Sequence, residues 1–182
     1  MNKIRRLSLA LQFIFGILFL WLPIYTFVFW LSNGLPFGAH YPTNVFLYNG
    51  PALPYIWMLP LSVKVYGFLV NMIPIGLYMI VLSLLVRLFY LYAHYGEIIS
   101  MRIVSLYKTI ALFLLSVQII RPLYGMLISY TLTSANPPGL RFVFFGISLQ
   151  DVIMISIIST ILLISWIIEE YHELNEEQGY IV

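Results

Sequence analysis

Cysteine is absent from this chain of 182 residues, and charged side chains are scarce. Without thiols the protein cannot form disulfides, bind metals through thiolates or use a cysteine nucleophile. Charged residues make up 9% of the sequence, whereas about 25% is usual for a soluble domain. The net charge of +2 is too small to argue for direct binding to nucleic acid.

The motifs of the common enzyme classes are also missing. The sequence contains no H-E-x-x-H metal motif, no G-x-S-x-G elbow, no P-loop and no glycine-rich dinucleotide turn. Its three histidines, His40, His94 and His172, lie outside the hydrophobic segments, so neither haem nor another metal cofactor is expected. We therefore expect no cofactor and favour a protein that is not an enzyme.

Hydrophobic residues make up 62% of the chain, more than a soluble core of this length could bury. They form four long apolar segments, and about 20 apolar residues are enough for a helix to cross a bilayer. The first segment is too long for a signal peptide, so we expect it to be retained. The sequence thus predicts a single all-α membrane domain, residues 1–182, in contact with the lipid bilayer. Its four transmembrane helices form a bundle, with spans at approximately residues 7–30, 61–92, 103–133 and 149–168.

The distribution of basic residues predicts the orientation of the spans. Most of them fall on one predicted side: Lys3, Arg5, Arg6, Arg87, Arg102 and Lys108. Lys and Arg are enriched in cytoplasmic loops, so both termini are expected in the cytoplasm. Residues 31–60 then form a long, apolar first outer loop with five of the ten prolines. A second outer loop contains a predicted turn at residues 136–139.

Polar residues inside the apolar segments form a candidate binding site, and the third segment, Ile103–Thr133, carries two of them. Gln118 and Arg121 are three residues apart and share a helix face. Asn71 lies at a similar depth when residues are counted at about 1.5 Å each. The complete candidate set, which could line an outward-facing pocket, is Arg121, Gln118, Asn71, Lys64 and Asp151.

A charge at the depth of Arg121 is costly in a bilayer, so it should face other helices. We predict that Arg121 pairs inside the bundle, with Asp151 as first partner and Gln118 or Asn71 as others. The alternative is that its side chain reaches the outer head groups. Asp151 also has a structural interpretation, because Ser148 and Asp151 have the spacing of a helix capping box.

An acidic cytoplasmic tail, residues 169–182, follows the fourth segment. Its carboxylates fall at helical spacings, so the fourth helix could continue through them, although they repel one another and the helix dipole opposes them. A basic partner is therefore expected, either Arg87, Arg102 or Lys108, or a soluble protein. The alternative is a solvated, disordered tail. The partner-binding residues of this hypothesis are Glu169, Glu170, Glu173, Glu176, Glu177 and Tyr180.

Two stretches, LFYLYAHYGEIISMRIVSLYK (residues 88–108) and HELNEEQGYIV (residues 172–182), resemble an uncharacterised family of small bacterial membrane proteins. Members of this family have four spans, a DUF2975-type domain and usually a shorter first outer loop. The resemblance implies a multi-pass protein of the bacterial cytoplasmic (inner) membrane and no assigned activity. Because the family's genes often neighbour one for an Xre-like regulator, it also implies a soluble cytoplasmic regulator as partner.

Three functions are compatible with the sequence. The favoured one is a non-enzymatic membrane protein that binds partners and senses or regulates. The second is a transporter or channel subunit that uses the polar set around Arg121, and the third is a lipid-active membrane enzyme. Assembly into a homo-oligomer is a further open alternative.

Overall fold

The structure, a computed structural model, describes residues 2–31, 59–95 and 101–179, with side chains at 3–30, 59–94 and 101–171. It contains four α-helices, α1 (Asn2–Leu31), α2 (Leu61–Tyr95), α3 (Met101–Thr133) and α4 (Leu149–Gly179). Each helix includes a segment long and apolar enough to cross a membrane. The prediction of an all-α protein with four membrane spans is confirmed, and the described residues contain no strand. The chain is an integral, multi-pass membrane protein in contact with lipid.

The helices extend beyond the predicted spans but keep their order. α2 ends at Tyr95, directly before Gly96, and it continues without a break through Pro74. Pro23 and Pro122 likewise lie inside α1 and α3. Most of the predicted outer loop, residues 32–58, lies outside the described residues.

The chain divides into two compact units. Unit 1 comprises residues 1–19, 78–118 and 149–182, and unit 2 comprises residues 20–77 and 119–148. Unit 1 contains part of every helix, which confirms the predicted four-helix bundle.

The core of unit 1 consists of two clusters that meet on α3. One cluster joins α2 to α3 and contains Val81, Leu88, Ile103 and Ile110. The other joins α3 to α4 and contains Ala111, Ile158 and Leu162. The rings of Phe15 and Phe89 stack at 5.6 Å and attach α1 to α2. Because α3 takes part in both clusters, it is the central helix of this unit.

The core of unit 2 is built around Trp30, which is fully buried. It packs with Phe29, Leu59, Val63, Tyr124, Ile128 and Leu132. The six-membered ring of Trp30 lies directly on the backbone of Gly67 in α2, where a Cβ atom would overlap it. Small residues allow membrane helices to approach closely, and Gly67 serves this purpose for α1 and α2.

The connection from α3 to α4 begins with the predicted turn. The amide of Leu140 donates to the carbonyl of Pro137 at 3.1 Å, and Gly139 has a φ of +99°. Proline followed by a glycine of positive φ is the pattern of a type II turn, so the predicted turn is present but spans residues 137–140, one residue later than the predicted 136–139. The chain then returns beside α3, where Phe142 N donates to Thr133 Oγ1 at 3.3 Å and Phe144 N to Ser129 Oγ at 2.9 Å.

The contact between Trp30 and Gly67 generates a stability prediction. We expect Gly67→Ala to lower the free energy of unfolding by about 1–3 kcal/mol, the usual cost of overpacking a well-packed core. The matched control is Gly76→Ala in the same helix, because a Cβ atom there meets no heavy atom within 4 Å. Thermal unfolding in mild detergent measures both variants. Equal melting temperatures for the two variants would show that the packing of the Trp30 ring does not require a glycine at position 67.

Candidate functional site

Asn71 is the best-defined member of the predicted polar set. Its side chain is 1% exposed and its Oδ1 accepts a hydrogen bond of 2.7 Å from the hydroxyl of Tyr124. The bond joins α2 to α3 within unit 2. A buried amide must find a partner in a membrane interior, and this bond supplies one.

Tyr124 is the residue that the sequence reasoning missed. It is 4% exposed and lies three residues after Arg121, on the face that Gln118 and Arg121 share. The sequence did contain a signal for Tyr124, because it lies far from the ends of an apolar segment. A tyrosine hydroxyl buried at that depth usually has a hydrogen-bond partner. Only the structure identifies that partner as Asn71.

Two basic members of the set also belong to unit 2. Lys64 is in the first turn of α2, where its amide donates to the carbonyl of Pro60 at 3.2 Å. Its side chain and that of Arg121 are both half-buried. Unit 2 therefore contains both basic members of the set, together with the bonded pair of Asn71 and Tyr124.

The remaining two members, Gln118 and Asp151, belong to unit 1. Both side chains are buried, and Oε1 of Gln118 has no hydrogen-bond partner among the described residues. α4 begins at Leu149, so Ser148 and Asp151 occupy the two positions of the predicted capping box. A carboxylate in the first turn also interacts favourably with the helix dipole. The pairing of Arg121 with Asp151, and one pocket lined by all five residues, stay predictions.

The start of the predicted tail is anchored to α3. Nζ of Lys108 donates to Oε2 of Glu169 at 2.6 Å, and Lys108 is one of the three cations expected to hold the acidic segment. Both side chains are partly exposed, at 28% and 35%, so the pair contributes modestly to stability. Its structural value is that it fixes α4 against α3 where the apolar segment ends.

α4 does not stop at the end of that apolar segment. The sequence turns polar after Ile168, yet the helix runs to Gly179, as the spacing of the glutamates predicted. Glu170 is exposed beside the anchored Glu169. The side chains of Glu173, Glu176, Glu177 and Tyr180 lie outside the described residues.

The described side chains include no cluster that could hold a metal ion, and the comparisons with known proteins found no match. Within residues 3–30, 59–94 and 101–171, no group of three histidine, cysteine or acidic side chains is placed to hold a metal ion. No family model matches the chain, and no curated protein and no solved structure matches it. The candidate site therefore has to be judged on its own geometry.

The bond between Tyr124 and Asn71 is open to a double-mutant test. We expect Tyr124→Phe to lower the free energy of unfolding by about 0.5–2 kcal/mol, because it leaves a buried amide oxygen without its donor. The same change in an Asn71→Leu background should cost less, since no buried acceptor then remains. Unfolding in detergent gives the coupling between the two positions. If Tyr124→Phe lowers the free energy of unfolding equally in both backgrounds, the hydrogen bond to Asn71 does not contribute to stability.

Proposed function

We propose that this protein is a non-enzymatic regulator of the bacterial inner membrane that binds a soluble cytoplasmic protein through the acidic end of α4. The observation that carries the proposal is the continuation of α4 to Gly179, past the apolar segment that ends at Ile168. A helical extension of this kind presents glutamates in a fixed order and register. Such a surface attracts a partner with a complementary basic patch.

The anchor at the base of the extension supports this proposal. Lys108 holds Glu169 at 2.6 Å, so the extension continues from a helix that is tied to α3. Among the described side chains, which reach Tyr171 on α4, the buried clusters of unit 1 include no residue beyond Leu162. Residues 172–179 add Glu173, Glu176 and Glu177 to the helical sequence, and this acidic charge favours a role in binding a basic partner.

The resemblance of residues 88–108 and 172–182 to the DUF2975-type family belongs to the same proposal. An Xre-like regulator would be the soluble partner, and both termini would lie in the cytoplasm. The order of four spans followed by an acidic end is the support for this assignment.

A transporter or channel subunit has weaker support. Arg121 and Lys64 are half-buried in unit 2, as a site for an anion would require. However, the amide oxygen of Asn71 is already occupied by Tyr124, which makes Asn71 a structural residue and leaves fewer groups for a substrate.

The proposal is tested by capture of a soluble protein in mild detergent at low salt, where charge complementarity acts most strongly. We expect the triple substitution Glu173→Gln, Glu176→Gln, Glu177→Gln to remove the captured protein while the melting temperature stays unchanged. Deletion of residues 172–182 should have the same effect.

The matched control is Glu97→Gln, which removes a carboxylate on the same predicted side but outside α4. Capture should survive this change. If the triple variant and the control retain the same soluble proteins, the acidic extension is not a binding surface.

A further inference from the structure

A cleft of about 620 Å³ lies between α2 and α3 within unit 1. It is separate from the polar set of the candidate site and from the acidic extension. Its lining consists of Leu84, Arg87, Leu91, Met101, Arg102, Ser105, Leu106 and Thr109.

The cleft is built on two helices that are firmly packed together. On α2, Arg87 lies three residues after Leu84 and four before Leu91, so the three share one face. The same spacing brings Arg102, Leu106 and Thr109 together on α3. The cluster around Leu88 and Ile103 holds the helices together. The site therefore has fixed walls and one arginine on each wall.

The two arginines give the cleft a positive charge that no acidic side chain within residues 3–30, 59–94 and 101–171 pairs with. Both side chains are exposed, and among the described side chains neither forms an ion pair, whereas Lys108 nearby is held by Glu169. The hydroxyl of Thr109 donates to the backbone carbonyl of Ser105 at 2.8 Å, and the side chain of Ser105, which carries a second hydroxyl, lines the same wall. Two guanidinium groups and a hydroxyl are donors suited to a phosphate group.

The other half of the lining is apolar and lies at the boundary of the spans. Arg102 is the second residue of α3. Arg87 lies eight residues before the last residue of α2, about 12 Å along the helix axis. Both arginines are thus close to the helix ends that the short segment 96–100 connects. Leu84, Leu91 and Leu106 extend the wall with side chains that favour hydrocarbon.

We propose that this cleft binds an anionic phospholipid. The phosphate lies between Arg87 and Arg102, and the glycerol and upper acyl chains lie against the leucines. Basic pockets between membrane helices bind anionic head groups in this way. A free phosphate ion would use the arginines but not the apolar wall, so the combination favours the lipid. The proposal does not depend on the acidic extension or on a soluble partner.

Native mass spectrometry of the full chain in detergent, with added phosphatidylglycerol, measures the binding. We expect Arg87→Gln with Arg102→Gln to weaken retention of this lipid about 25-fold, since each arginine near an anionic lipid contributes roughly a factor of five. The matched control is Arg5→Gln with Arg6→Gln, which removes the same charge from exposed positions on α1 and should change retention less than twofold.

Three further comparisons distinguish binding of an anionic lipid from binding of any lipid, from binding of a phosphate group alone and from attraction to any positive charge. Phosphatidylcholine and glycerol 3-phosphate should bind far more weakly than phosphatidylglycerol, because one lacks net charge and the other lacks acyl chains. Arg87→Lys with Arg102→Lys keeps both charges and should retain more lipid than the glutamine variant. Three results would each overturn the proposal. The first is an equal loss of lipid in the glutamine and control variants, and the second is binding of glycerol 3-phosphate as strong as that of phosphatidylglycerol. The third is an equal loss of lipid in the lysine and glutamine variants.

Discussion

The interior of a bilayer offers no water, so the polar groups of a membrane span must find their hydrogen-bond partners within the protein. This requirement falls most heavily on α3, which contains Gln118, Arg121, Tyr124 and several hydroxyl side chains. α3 is also the most enclosed helix, with 33% of its apolar window buried, against 6% for α1 and 22% for α2 and α4. The membrane span with the most polar residues is thus also the most enclosed of the four.

Most polar side chains of the described spans meet this requirement in one of two ways. Most hydroxyl side chains donate to a carbonyl of their own helix one turn earlier, as Thr26 does to Leu22 and Ser165 to Ile161, at 2.9 and 2.8 Å. Such bonds need no neighbour and leave the outer surface apolar. The second way is a bond between helices, and Tyr124 to Asn71 is the buried example. Removal of either partner therefore affects the packing of α3 on α2, and not only a local contact.

The order of the elements could be predicted from the sequence because each signal is local. Four long apolar segments give four helices, Pro138 and Gly139 give the turn, and the spacing of the glutamates gives the continuation of α4. The partner of Asn71, the contact of Trp30 with Gly67 and the cleft between Arg87 and Arg102 could not be predicted in this way. The apolar residues of α2 and α3 are distributed all around the helix axis, so their sequences do not show which face meets which helix. The rotation of each helix about its own axis is decided by packing. This rotation determines which polar side chains of neighbouring helices meet.

The four apolar helices predict that the chain crosses the membrane four times. The absence of cysteine allows a direct measurement, because a single introduced cysteine is then the only thiol in the chain. Ala52→Cys, Ser100→Cys, Ala135→Cys and Gln178→Cys place one thiol beyond each successive membrane-spanning segment. With a maleimide reagent that cannot cross membranes, intact cells should label positions 52 and 135, and positions 100 and 178 only after permeabilisation. Labelling of positions 135 and 178 from the same side would contradict the four-span account.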